Sequence, residues 1–264
     1  MLQVESVIKG YAIAASDGQI GAVSDVLFDD QTWKVRWLVI DTGTWLPGRK
    51  ILLHPSAIGH ADHERRELPV TMTKAQIEGG PSIFVDQPVS RQMELHLYDY
   101  YCWDAGWGDS YFAASPHGIA APFTAPPVSG GATVHEAVGE EPDDDESPHL
   151  DSITAVTGYH IEATDGKIGH VEDFLVDDAE WGIRYLIIDT KNWWPGQHVL
   201  ISPYAVRKIS WPNHQIELAV TREQIKASPP WKPLDMIGQA YEERLRTYEK
   251  RLHKHYGWPG YGWF

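Results

Sequence analysis

Gly158–Thr190 reads GYHIEATDGKIGHVEDFLVDDAEWGIRYLIIDT, and the chain has already spelled a close copy at Gly10–Thr42, GYAIAASDGQIGAVSDVLFDDQTWKVRWLVIDT. Sliding Gly10 onto Gly158 aligns residues 10–77 with 158–225 without a gap, and about 28 of those 68 positions are identical. A copy of this length is a fold unit written twice. Within each copy, Asp-Gly (Asp17-Gly18, Asp165-Gly166) supplies the positive-φ position of a tight turn. A second turn follows at Asp29-Asp30 and Asp177-Asp178, and then a strand rich in Trp, Val and Ile, Trp33–Asp41 or Trp181–Asp189.

Further out, Trp45-Leu46-Pro47-Gly48 is matched by Trp193-Trp194-Pro195-Gly196, and Pro-Gly favours a type II turn. Short strands are expected at Arg49–His54 and Gln197–Ser202, each stopped by proline, and at Glu67–Met72 and Gln215–Val220. Thr73 and Thr221 read as N-caps of one-turn helices. Five or six short, strongly turned strands in each copy predict a mainly β protein: two tandem small β-barrels, each followed by an α-helix and an aromatic tail. The helices are expected at Ser90–Tyr101 and Asp235–Tyr256, the second with an apolar stripe of Ile237, Tyr241, Leu245, Tyr248 and Leu252.

Counting inward from a four-residue loop makes Phe28 face Trp33 and sets Asp25 across from Arg36, and Asp173 across from Arg184. Facing opposite charges support a hairpin, so these four residues are expected to be structural pairs. The domain reading is 1–112 for the first unit, 113–152 for a Pro/Gly/acidic linker and 153–264 for the second unit. The linker composition cannot bury enough apolar surface to offset its ordering entropy.

The chain has 264 residues, 42% hydrophobic and 22% charged, with 37 acidic against 22 basic residues and a net charge of −15. Nucleic-acid binding depends on Lys and Arg displacing counterions from phosphates, so this balance argues against direct RNA or DNA contact. No apolar run approaches the ~20 residues of a membrane span. The N-terminus lacks the pattern of a signal peptide, and the single cysteine, Cys102, permits no internal disulfide framework. Cytoplasmic residence is expected.

No phosphate-binding glycine loop is present. Cys102 and His96 fall on different helical faces, His253 and His255 point about 200° apart on a helix, and His60-x-x-His63 has no third ligand. Asp143–Asp145 lacks the glycine-turned loop of an EF-hand. No catalytic residue, cofactor or metal is therefore expected.

The order Gly-Tyr, Asp-Gly-x-Ile-Gly-x-Val-x-Asp, Leu-x-Ile-Asp-Thr, then Trp-x-Pro-Gly resembles the PRC-barrel family, on Gly10, Asp17, Gly18, Ile20, Gly21, Val23, Asp25, Leu38, Ile40, Asp41, Thr42 and their second-copy partners. That family includes the soluble domain of the photosynthetic reaction-centre H subunit and the C-terminal domain of a ribosome maturation factor. The resemblance implies small barrels acting as interaction modules. The expected function is thus a non-catalytic scaffold with a protein partner, arranged as an internal pseudo-dimer and able to form a homo-oligomer. The alternatives are a peripheral subunit of a membrane electron-transfer complex or a ribosome-associated factor. Exposed tryptophans anchor interfaces, so the candidate contacts are Trp45, Leu46, Pro47, Trp193, Trp194 and Pro195, with Trp103, Trp107, Trp258 and Trp263 in the aromatic tails.

Overall fold

A computed structural model describes residues 2–80, 97, 100–101, 150–190, 197–229, 231 and 239–259. The protein is mainly β, with one large mixed sheet and a few helices. Strands of the first half are β1 (Leu2–Val4), β2 (Ala12–Ala15), β3 (Gly18–Asp29), β4 (Lys34–Asp41), β5 (Lys50–Leu53) and β6 (Glu67–Pro69). Those of the second half are β7 (Leu150–Ser152), β8 (His160–Ala163), β9 (Gly166–Asp177), β10 (Gly182–Asp189), β11 (His198–Ile201), β12 (Val206–Ser210) and β13 (Gln215–Leu218).

Both halves repeat one ladder. β2 pairs antiparallel with β3 and parallel with β6, β3 pairs with β4, and β4 with β5. In the second half β8 pairs with β9 and, in parallel, with β13, while β9 pairs with β10 and β10 with β11. β11 continues through a 3-10 turn, Pro203–Ala205, into β12, which pairs with β13.

The turn aspartates have a second task. Asp17 Oδ1 accepts from Lys74 N at 2.8 Å, and Asp165 Oδ1 from Arg222 N at 2.8 Å. These are the first residues of the helices Lys74–Glu78 and Arg222–Lys226, whose Thr73/Gln76 and Thr221/Gln224 form full capping boxes. Gly21 and Gly169 permit close packing: a Cβ at either would strike the carbonyl oxygen of Asp41 or Asp189 across the ladder.

The halves meet about an approximate twofold. Lys34 of β4 pairs with Gly182 of β10, Val35 N donates to Trp181 O at 2.8 Å, and Ile183 N donates to Trp33 O at 2.8 Å. The arms ahead of each repeat are exchanged. β1 lies along β9 of the second half, with Leu2 opposite Asp177, and β7 lies along β3 of the first, with Leu150 opposite Asp29. The short helix after each, Glu5–Ile8 or Ile153–Val156, packs against the same strand as its arm. One apolar core crosses the seam, and Phe28 and Phe174 sit within it with ring centroids 6.3 Å apart.

Two expectations are corrected. Asp25 lies opposite Val39 and Asp173 opposite Ile187, so neither faces its arginine. Phe28 pairs with Val35, and the register jumps from Trp37 to Val35 and from Tyr185 to Ile183. Arg36 and Arg184 are thus the extra residues of β-bulges, which no period-two count detects. Asp25 instead reaches the exchanged arm: it accepts from Ser152 Oγ at 2.5 Å, Thr154 Oγ1 at 2.8 Å and Thr154 N at 3.2 Å. Asp173 accepts from Ser6 N at 3.3 Å, its counterpart contact. Second, residues 150–152 were assigned to the linker, and they form β7, because a neighbouring strand satisfies their backbone groups. The rest of that segment lies outside the described residues.

Helix Gln239–Tyr256 covers the outer face of the second half. Leu245 and Leu252 of the expected stripe pack with Leu175, Tyr185, Ile187, Leu200 and Trp231, and half-buried Tyr248 flanks them. Tyr185 Oη meets His253 Nε2 at 2.6 Å, in contact with the same helix. In the first half, Leu97 packs with Trp37 and Leu52 at the corresponding place. Ile237 and the side chain of Tyr241 lie outside the described residues.

Candidate interaction groove at the seam

The chain turns sharply where the halves meet. Asp29 and Asp177 open the two hairpin turns, and Trp33 and Trp181 close them in the left-handed region, at φ 58° and 52°. Their amides donate to Asp29 O at 2.7 Å and Asp177 O at 2.6 Å. A non-glycine residue held at positive φ is strained, and here burial holds it: both indoles sit in the core, with Trp33 stacked on Phe28 at 5.4 Å.

Beside this dyad lies a groove of about 740 Å³, within the ~300–1,000 Å³ typical of ligand sites. Its walls are Asp30–Lys34 from the first half, with Glu180, Gly182–Arg184, Pro203, Tyr204 and Val206–Ile209 from the second. Lys34, Arg207 and Lys208 are exposed, and Tyr204 is 52% exposed, one of two large hydrophobic side chains so open among the described residues. The Arg184 guanidinium reaches Asp177 at 3.0 Å and also binds Glu180. Burial pushes the Asp177 carboxyl up, but the Arg184 hydrogen bond and charge, with the Ala179 amide, outweigh it and hold the group below its ordinary value.

The side chains that the second half contributes to the groove are not repeated in the first. Tyr204, Arg207 and Lys208 correspond to Ser56, Gly59 and His60. Where the second half has the five-residue β12, the first has only the isolated bridges Ile58–Val70 and Asp62–Glu67. The symmetric contacts build the body; the groove is where the repeats diverge.

The sequence-derived contacts fall elsewhere. Trp45 is half-buried against the core, with Lys74 Nζ 5.6 Å from its ring centre. Thr42 Oγ1 ties the loop, its one proton lying between Leu46 O at 2.7 Å and Arg49 O at 2.6 Å, and Pro47 is exposed. Trp258 is half-buried and stacks on Tyr256, with rings 4.2 Å apart and 12° from parallel. Trp193, Trp194, Pro195, Trp103, Trp107 and Trp263 lie outside the described residues. The groove itself has a faint sequence signal, the β-branched ends of the VRKI run between Pro203-Tyr204-Ala205 and Trp211-Pro212, too short and too irregular in period to read as a strand.

Of the histidines in the two candidate metal pairs, His63, His253 and His255 have other partners. His63 Nδ1 meets Tyr11 Oη at 3.1 Å, and its Nε2 meets Asp178 Oδ2 across the seam at 2.8 Å. His255 Nε2 lies 2.7 Å from Gln224 O. Burial pushes the His253 imidazole down, and it sits between Tyr185 and Pro259 O. Among the described residues no three His, Cys, Asp or Glu side chains cluster as metal ligands, and no helix is long and apolar enough to cross a membrane.

A comparison with curated proteins finds no match. The family model described as PRC-barrel domain matches residues 6–77, which span the first repeat from its one-turn entry helix to the capped helix at Lys74–Glu78. The second repeat carries the same ladder on the same sequence pattern, and the first, residues 6–77, is a PRC-barrel domain.

Proposed function

We propose that this protein is a non-catalytic interaction scaffold or adaptor, a pair of PRC-type units locked together so that one asymmetric groove is presented to a protein partner. The carrying observation is the divergence of the repeats at the seam: the second half alone sets exposed Tyr204, Arg207 and Lys208 around an open groove. A buried symmetric fold needs none of these side chains, whereas aromatic and arginine residues are those enriched at interface centres. Cytoplasmic residence belongs to the same reading and draws support from a lone cysteine that can build no internal disulfide.

The test is capture from the host with the tagged chain and with a Tyr204→Ala/Arg207→Glu variant. The expected result is a set of proteins retained by the parent and lost from the variant at unchanged melting temperature. Identical captures from both would refute the groove as the working surface.

A further inference from the structure

We propose that the groove takes an extended, acidic segment of a partner protein as an added strand along β12. This rests on the interaction reading above and names the chemistry of its partner.

β12 ends the path of the sheet, and its ladder to a named strand runs on the β13 side. Four consecutive β12 residues, Val206 to Ile209, border the groove. The register shifts between Val206 and Lys208, a bulge that turns Arg207 and Lys208 to solvent together, so consecutive side chains border the groove. Across the groove lies the first part of β10, Gly182–Arg184, whereas β11 reaches only Leu186–Asp189 of that strand. The gap is therefore flanked by strands and stops where β11 begins. An open edge presents backbone donors and acceptors that an extended peptide can satisfy.

Charge sets the class of peptide. Lys34, Arg207 and Lys208 are exposed around the groove, and with Arg184 they outnumber its two carboxylates, Asp30 and Glu180, in a chain of net charge −15. Their local excess attracts an acidic segment, while the rest of the surface repels it, so the groove is favoured over other landing places. Tyr204, 52% exposed, offers an aromatic contact to an alternate side chain of the added strand.

Fluorescence anisotropy on the full chain tests this with three labelled ten-residue probes: alternating Glu-Val, alternating Lys-Val, and Glu-Val with alternate backbone amides methylated. Saturable binding of the first alone is expected, weakened at least about tenfold by Arg207→Glu/Lys208→Glu, with slowed hydrogen exchange at Val206–Ser210 amides. Equal binding of the methylated peptide would leave only charge attraction and overturn strand addition. Displacement of the bound peptide by a single-stranded RNA oligonucleotide would show a general polyanion site and overturn it too. If no peptide binds while host capture still depends on Tyr204, strand addition fails and the interaction reading stands. If capture is also indifferent to Tyr204, both fail.

Discussion

Lys34 and Gly182 lie opposite one another at the junction of β4 and β10, and they are the same position of the two repeats. A residue paired with its own counterpart marks a twofold, and the amides on either side confirm it by bonding reciprocally, Val35 to Trp181 and Ile183 to Trp33. One chain thus reproduces the isologous contact of a homodimer. Fusing two copies frees them to diverge, and the groove shows the result: Tyr204, Arg207 and Lys208 occur once.

Asp25 secures the exchanged arm of the second half, and its removal should loosen that arm. Asp25→Ala leaves the hydroxyls of Ser152 and Thr154 without their acceptor, and a loss of about 1–3 kcal/mol is expected. Asp173→Ala should cost less, because Asp173 holds Ser6 through its amide and hydroxyl, whereas Asp25 holds both Ser152 and Thr154. Urea unfolding of the two variants measures the difference; equal losses would contradict this ranking.

Asp151, on β7 beside Asp29 and Asp30, is raised to about 7, first by burial and then by those two charges. A carboxyl raised in the folded state contributes stability below its unfolded value near 4 and loses it as pH climbs toward 7. Asp151→Asn should flatten that slope and leave the variant more stable at pH 8, by about 1–2 kcal/mol after solvent screening. Thermal melts from pH 4 to 8 test the sign.

His54 shows the opposite dependence. It is fully buried against Trp37, and burial, helped by the Arg36 charge, lowers it to about 4. Its stabilising contribution is whole above pH 6.5 and is lost as pH falls from there toward 4. The second repeat has Ser202 here, which caps its 3-10 turn as His54 does. His54→Ser should keep the cap and abolish that part of the acid sensitivity, at a cost of about 1–2 kcal/mol at pH 7.5 from the cavity under Trp37.

Gly21→Ala and Gly169→Ala each drive a methyl into the facing carbonyl of Asp41 or Asp189. Strand separation is the only relief, so each should cost at least ~2 kcal/mol in urea unfolding. Gly43→Ala meets no atom nearby, although its φ of 56° still strains alanine. It should cost about 1 kcal/mol.

The turns were legible because each used a chemistry with one dominant use: Asp17-Gly18 and Asp165-Gly166 turned where expected, and Thr73 and Thr221 capped the helices read from them. The hairpin register was not. Trp33 and Trp181 belong to their turns, so the ladders begin at the pairs Asp29–Lys34 and Asp177–Gly182, two positions off a count from Phe28. The bulges at Arg36 and Arg184 add a third, and neither changes composition. The arm exchange was hidden for a different reason. A strand's sequence records that it pairs, not with which half, and nothing in Leu2–Val4 names β9 as its neighbour.

The crossed arms make each half an incomplete object. β9 is finished by a strand from the chain's beginning, and β3 by one that follows the first repeat. A protease cut between residues 113 and 149 would therefore yield two fragments that complement one another, each supplying the edge the other lacks. Because the two halves are one polypeptide, each stays at high effective concentration for the other, and they find each other before they find a second molecule.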